Sequence, residues 1–127
     1  MFSPMETSFS VEGGSREMHP IVRDEIYRIG YEAIRNASAH SKASRLQVGL
    51  KYGQDLVISV GDNGVGIPES IINGGANGHY GLQGMRERAA RIGGKLKIVS
   101  SLDSGTEVSL VVPGRIAFRE TGGTGIE

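Results

Sequence analysis

Glu32, Asn36 and His40 recur every fourth residue, so on an α-helix a carboxylate, an amide and an imidazole share one face. Carboxylate and amide oxygens stacked in this way suit a small hard cation. Magnesium takes oxygen ligands, few of them from protein, and fills its shell with water and substrate phosphate oxygens. Taken alone, Glu-x-x-x-Asn is also an ordinary polar stripe on a solvated helix. A second group is Asp62-Asn63-Gly64-Val65-Gly66-Ile67-Pro68. Asp62 continues the alternation of Leu56, Ile58 and Val60, which turns its carboxylate toward the buried side, where an unpaired acid is costly. Asp-x-Gly is common turn chemistry. A turn does not need its acid on the core side, however, and a ligand amino group bonded to that carboxylate would account for it.

Two glycine-bearing segments complete the set. Gly78-His79-Tyr80-Gly81-Leu82-Gln83-Gly84-Met85 runs into a helical pattern. Glycine at a helix start leaves backbone N–H groups and the positive dipole end open to an anion, or serves as a plain linker. Ser104-Gly105-Thr106 opens a strand after a hairpin turn, where Thr106 on its own reads as a β-branched strand residue.

The elements that must position these groups follow from apolar periodicity. Thr7 to Glu12 reads as a short edge strand, broken by Gly13-Gly14. From Pro20 to about His40, Ile21, Val22, Ile26, Ile29, Ala33, Ile34 and Ala37 step by threes and fours, the mark of an amphipathic helix. Leu46, Val48, Leu50 and Tyr52 alternate, as do Leu56, Ile58 and Val60, giving a hairpin that turns at Gly53-Gln54. Asn63 to Tyr80 is glycine-rich and weakly periodic, and loops of that length are usually functional. A second helix is expected from Gly81 to about Ile92, then strands at Lys95–Ser100 and Thr106–Val112. Helices segregated from most of the strands imply an α/β (α+β) class: a two-layer sandwich, a mixed sheet of about five strands with helices on one face. Residues 1–19 are expected to form the N-terminal strand and linker of the same domain, 20–113 the core, and 114–127 a flexible tail with little to bury.

Composition narrows the function classes. Fourteen Lys and Arg balance fourteen Asp and Glu, so no broad field favours nucleic acid or an anionic membrane, and any anion site must be local. With no cysteine there is neither a disulfide framework nor a thiolate metal site, which suits a reducing compartment. No apolar run approaches the roughly 18 residues of a membrane helix. Glycine, 20 of 127 residues, is about twice its usual share, and much of it falls in the two loops already singled out.

Each signal is modest, but their order is specific. Tyr31-Glu32-Ala33-Ile34-Arg35-Asn36-Ala37 resembles the asparagine box of the ATPase superfamily that groups gyrase, heat-shock protein 90, histidine kinases and mismatch-repair ATPases. Asp62 to Ile67 resembles its first glycine box. Gly81-Leu82-Gln83-Gly84-Met85-Arg86-Glu87-Arg88-Ala89 resembles the second, in the wording of sensor kinases related to nitrate and cell-envelope sensors. Ser104-Gly105-Thr106-Glu107-Val108 resembles the closing strand. The likeness spans about Ile26 to Pro113 and implies a Bergerat-type ATP-binding fold.

The resemblance also implies roles. Asp62 would accept from the adenine amino group, with Thr106 supporting the base through water. Gly64, Gly66 and Ile67 would pass close to the ring. Asn36 would give its oxygen to Mg2+. Glu32 would either order a metal-bound water or accept a proton. His40 would touch a phosphate, and Gly81, Leu82, Gly84 and Met85 would present the phosphate-binding turn. Tyr80 would either pack on a lid running from Asn63 to Tyr80 or merely fill space. Arg86 and Arg88 either reach phosphates or decorate a helix surface. None of His19, His40 and His79 has the context of a phosphoacceptor. The expected protein is therefore a cytoplasmic ATP- and Mg2+-binding histidine kinase catalytic domain. Its partners would be a histidine-bearing dimerisation domain of a homodimeric parent and, indirectly, a response regulator. Alternatives are an anti-sigma-type serine kinase and a non-catalytic nucleotide-binding module.

Overall fold

The computed structural model of the chain describes residues 5–74 and 80–119. Its chain order is β1 (Glu6–Glu12), α1 (Pro20–His40), β2 (Arg45–Tyr52), β3 (Leu56–Asp62), α2 (Glu69–Gly74), α3 (Leu82–Arg91), β4 (Lys95–Ser101), β5 (Gly105–Val112) and α4 (Gly114–Ala117). The strands form one sheet in the order β1-β2-β3-β5-β4. Among the described residues only β1 and β2 run parallel; the other pairings are antiparallel. That single parallel pair is a consequence of α1, since parallel neighbours need a long crossover and the helix between β1 and β2 provides it.

Strand register stacks the helix-facing side chains in rows across the sheet. Leu50, Ile58, Leu110 and Leu96 make one row, and Val48, Val60, Val108 and Ile98 the next. The row after that reads Leu46, Asp62, Thr106, Ser100. The apolar core therefore stops one row short of this end of the sheet, and polar groups continue the same face.

Two helices cover the rows. Pro20 suits the first turn of α1, where its missing N–H is not needed. The buried stripe of α1 is Val22, Ile29, Ala33, Asn36 and Ala37, so an amide sits among apolar neighbours. Helix α3 buries Leu82, Met85 and Ala89. It ends where Gly93 takes φ 65°, and the Gly94 and Gly93 N–H groups return to the carbonyls of Ala89 and Ala90. This is a left-handed glycine stop.

Two expectations need correction. Residues 114–119 are not a loose tail. Residues Gly114–Ala117 form α4, Ala117 and Phe118 are buried, and Phe118 bridges to Met18. The ring of Phe118 lies under the Arg16 guanidinium at 3.9 Å and beside Tyr52 at 6.1 Å. Glycine and threonine dominate the end of the sequence and hide the one aromatic anchor among them. The remainder of the expected tail lies outside the described residues. Second, the glycine-rich segment after Asn63 is not wholly irregular, because Glu69–Gly74 forms α2. Among the described residues no helix is long and apolar enough to cross a membrane.

Candidate functional site

The polar row at the end of the sheet faces Asn36 and His40 of α1 across a narrow cavity. Its lining comprises Ala33, Asn36, His40, Ser41, Val60, Asp62, Gly66, Ile67, Tyr80, Thr106 and Val108. Seven residues expected to bind nucleotide thus meet in one place: Asn36, His40, Asp62, Gly66, Ile67, Tyr80 and Thr106. The cavity holds only about 20 Å³ in this conformation, room for about one water. Tyr80 closes it: its carbonyl accepts the Asn36 amide N–H at 2.6 Å, and its ring stacks obliquely on His40 with centroids 4.9 Å apart.

Asn36 is 7% exposed, and its Oδ1 is buried without a hydrogen-bond partner. A buried orphan acceptor is costly and calls for a partner. The adjacent amide nitrogen is engaged by Tyr80, which leaves the oxygen as the donor atom for a hard cation. Among the described residues no three His, Cys, Asp or Glu side chains gather into a cage. A single amide oxygen suits magnesium arriving with a polyphosphate, which needs few protein ligands.

Asp62 divides its two oxygens. Oδ1 accepts the Gly64 N–H at 2.8 Å, closing a local turn, and this leaves Oδ2 for a ligand amino group. Thr106, directly opposite on β5, shares a 2.8 Å hydrogen bond with the Ser100 hydroxyl. Ser100 Oγ also accepts the Ile67 N–H at 2.7 Å and lies 3.1 Å from the Gly105 carbonyl. Ser100 therefore joins the loop after β3 to β5, a role sequence reading missed. The β4–β5 hairpin carried the signal: pairing outward from its short turn sets Ser100 opposite Thr106.

Packing against protein backbone already requires the glycines of the first loop. Gly66 has φ 84°, and a Cβ there would land on the Ser101 carbonyl. One at Gly64 would land on the Ser41 carbonyl. Their close approach is to protein backbone, tying β3's end to α1 and to the β4–β5 turn. Val65 N–H to Ser41 O at 2.8 Å and Asp103 N–H to Val65 O at 3.0 Å complete that tie.

Glu32 and the start of α3 form a second, adjoining region. Gly81 caps α3 with φ 65° and without a side-chain cap, so the helix offers its N-terminal backbone end. A Cβ on Gly81 would lie 2.7 Å from the Glu32 carboxylate, so this acid packs directly on that turn. Glu32 Oε2 also accepts from Arg35 Nη1 at 3.2 Å. A groove of about 730 Å³ runs between α1 and α3, lined by Tyr27, Tyr31, Glu32, Gly81, Gly84, Met85 and Arg88 among others. A Cβ on Gly84 would meet open space, so packing alone does not require glycine there.

Leu82 is buried in the core and lines neither region with its side chain. Arg86 donates to the Ile72 carbonyl at 2.7 Å and Arg88 pairs with Glu25 at 2.9 Å, so both guanidinium groups are engaged within the protein. Gly78 and His79 lie outside the described residues. A further hollow of about 420 Å³ at the end of the sheet, beside Gln47 and Glu107, shares Asp62 and Thr106 with the narrow cavity. It touches neither Asn36 nor α3, so it cannot join a base site to a phosphate site.

Comparison with known proteins gives the family and the fold. Residues 21–116 match the family described as histidine kinase-, DNA gyrase B-, and HSP90-like ATPase, and the chain belongs to that family. It is 39% identical over 94 residues to the sensor histidine kinase LiaS of Bacillus subtilis (strain 168), covering 72% of this chain and 25% of that protein. It is 38% identical over 95 residues to the sensor protein VraS of Staphylococcus aureus (strain COL), covering 72% and 26%. The chain thus spans about a quarter of the length of these relatives.

Among solved structures, the histidine kinase domain of the Erythrobacter litoralis EL346 blue-light activated histidine kinase superposes with a TM-score of 0.69 at 21% identity, over 86% of this chain and 55% of that one. The histidine kinase AdeS of Acinetobacter baumannii gives 0.71 at 15% identity, over 86% and 54%. The fold is therefore that of histidine kinase ATP-binding domains, with the mixed five-stranded sheet and helix layer expected from the sequence.

Proposed function

We propose that this chain is the catalytic ATP-binding domain of a two-component sensor histidine kinase, cytoplasmic and belonging to a homodimeric parent. One observation carries the reading: Asn36 has a buried, unpartnered amide oxygen in the same cavity as the half-buried Asp62 carboxylate and the Thr106 hydroxyl. The first suits a metal-bound polyphosphate and the second a purine amino group.

Asp62 Oδ2 accepts from the adenine amino group; guanine, with a carbonyl at that position, meets repulsion instead. Thr106, oriented by Ser100, supports the base, while Gly66 and Ile67 shape the wall beside it. Tyr80 gives up its contact with Asn36 to make room. Asn36 Oδ1 holds the magnesium, which when bound neutralises phosphate charge. The backbone of Gly81, Leu82 and Gly84 faces the phosphates at the positive end of α3. His40 and Met85 border them. Glu32, one turn before Asn36, lies where the terminal phosphoryl would leave. Transfer breaks the bond from the γ-phosphorus to the ADP oxygen and forms one to an imidazole nitrogen of the acceptor. The imidazole proton passes to Glu32 or to a water that Glu32 orders.

The acceptor histidine belongs to a dimerisation domain, from which a response regulator would draw the phosphoryl group. Calorimetry with Mg-ATP and Mg-GTP tests the binding half of this reading, with preference for ATP expected. Incubation of the chain and labelled ATP with a histidine dimerisation domain tests transfer. Phosphorylation of a serine-bearing antagonist in its place would move the assignment to an anti-sigma-type kinase.

A further inference from the structure

The two helices that carry the phosphate end of the site run antiparallel and touch at two matched points. At one point Glu32 packs on Gly81. At the other, Glu25 Oε1 accepts from Arg88 Nη1 at 2.9 Å, and its Oε2 from Arg91 Nη1 at 3.4 Å. Glu25 precedes Glu32 by seven residues on α1, and Arg88 follows Gly81 by seven on α3. Seven residues are two helical turns, about 10 Å, so both contacts belong to one register of an antiparallel pair. The groove lined by Tyr27, Tyr31, Glu32, Gly81, Gly84 and Arg88 runs between them.

Apolar burial is non-directional and by itself selects a register only weakly. Ile29 and Ala33 on α1 and Leu82, Met85 and Ala89 on α3 are all buried in the one apolar core. Such surfaces keep favourable contact after a slide of one turn, which would move Gly81 about 5 Å from Glu32. The ion pair is complete only in this register: a slide of one turn would leave Glu25 beside one arginine instead of two. The Glu25 side chain is 13% exposed, both its oxygens are engaged, and its two arginines are one turn apart on α3. The donors are charged and the acceptor is largely removed from water, so losing the pair would leave an uncompensated charge. Neither arginine bonded to Glu25 lines the purine cavity.

Resting on the nucleotide reading above, we infer that Glu25, through Arg88 and Arg91, is a positioning residue for phosphoryl transfer. It fixes the antiparallel register that sets the start of α3 beside Glu32 and Asn36. The adenine end is anchored by Asp62 on β3 and by Thr106 on β5, held by Ser100 of β4, and no residue of α3 lines it. The ion pair should therefore matter for the polyphosphate and not for the base.

The test is calorimetry on the full chain with adenosine and with Mg-ATP, for the wild type, Glu25→Lys, Glu25→Gln and the swap Glu25→Lys/Arg88→Glu. Glu25→Gln keeps the side-chain volume and one acceptor, and serves if Glu25→Lys does not fold. The assignment predicts that Glu25→Lys weakens Mg-ATP binding by about tenfold, the loss of roughly one charge-assisted contact at the phosphates, with Glu25→Gln intermediate. Adenosine affinity should stay within about twofold, and the swap should recover Mg-ATP affinity. Parallel losses for adenosine and Mg-ATP would make Glu25 merely structural and overturn the assignment. So would Mg-ATP affinity unchanged in a folded Glu25→Gln and Glu25→Lys. A wild type that binds neither ligand would strike the nucleotide reading itself and this assignment with it.

Discussion

Replacing Asp62 with asparagine separates the base-reading role of this residue from its role in the loop. One oxygen accepts the Gly64 N–H at 2.8 Å, and asparagine keeps an oxygen for that bond. The other oxygen becomes an NH2 group, which cannot accept from a purine amino group. A hydrogen bond to a charged acceptor contributes about 1.5–3 kcal/mol, which at 1.4 kcal/mol per decade is roughly 10- to 150-fold in Kd. Side-chain volume is conserved and the contacts with Leu46 and Thr106 remain, so unfolding free energy should move by less than about 1 kcal/mol. Calorimetric titration with ATP and GTP, alongside urea denaturation, reads both quantities. Weaker ATP binding with a smaller ATP-to-GTP preference and unchanged stability is expected. Unchanged ATP affinity, or affinity and stability falling together, would refute the assignment of the free oxygen to the base.

Asn36→Ala removes the orphan oxygen, so the gain in ATP affinity on adding magnesium should shrink at least about tenfold, while magnesium-free binding changes little. Titrations with and without a chelator check this. Phe118→Ala should cost about 3–5 kcal/mol in urea denaturation, because this ring is 4% exposed; a neutral result would return residues 114–119 to the status of a loose tail. Glu25 also predicts a pH dependence. The Arg88 hydrogen bond, followed by that of Arg91, holds its carboxyl below its ordinary value of 4.5. The unfolded chain therefore binds the proton first, so the stabilisation is complete above about 4.5 and is lost as pH falls through the lower folded value. Thermal unfolding between pH 7 and 3 should fall more steeply for wild type than for Glu25→Gln; parallel profiles would contradict the pairing.

Local periodicity made the helices and strands legible. Helix α1 and the hairpin of β2 and β3 lie where steps of four and of two place them, and Asp62 on the core-facing side of its strand follows from alternation. The site residues were legible because chemistry-bearing types sit at positions where packing alone would choose apolar ones. Asp62 at the end of an apolar column is the example; Asn36, in sequence part of a polar stripe, is buried in the structure. What periodicity misses is pairing between distant segments. Ser100 is an ordinary strand serine until register sets it against Thr106. Glu25 looks like a solvated helix acid until α3 brings two arginines to it. Phe118 stands in a glycine- and threonine-rich end, and its burial depends on Arg16, Met18 and Tyr52 arriving from elsewhere. The resemblance gave the glycines of the first loop a ligand role, whereas packing against Ser41 and Ser101 already demands them.

A crystal structure of the chain with a non-hydrolysable ATP analogue and manganese in place of magnesium tests the central claim most directly. The account predicts an anomalous manganese peak about 2.1 Å from Asn36 Oδ1, with the purine amino group about 3 Å from Asp62 Oδ2 and Tyr80 moved off Asn36. A nucleotide seated in the hollow beside Gln47 and Glu107, with Asn36 still bonded to Tyr80, would contradict it.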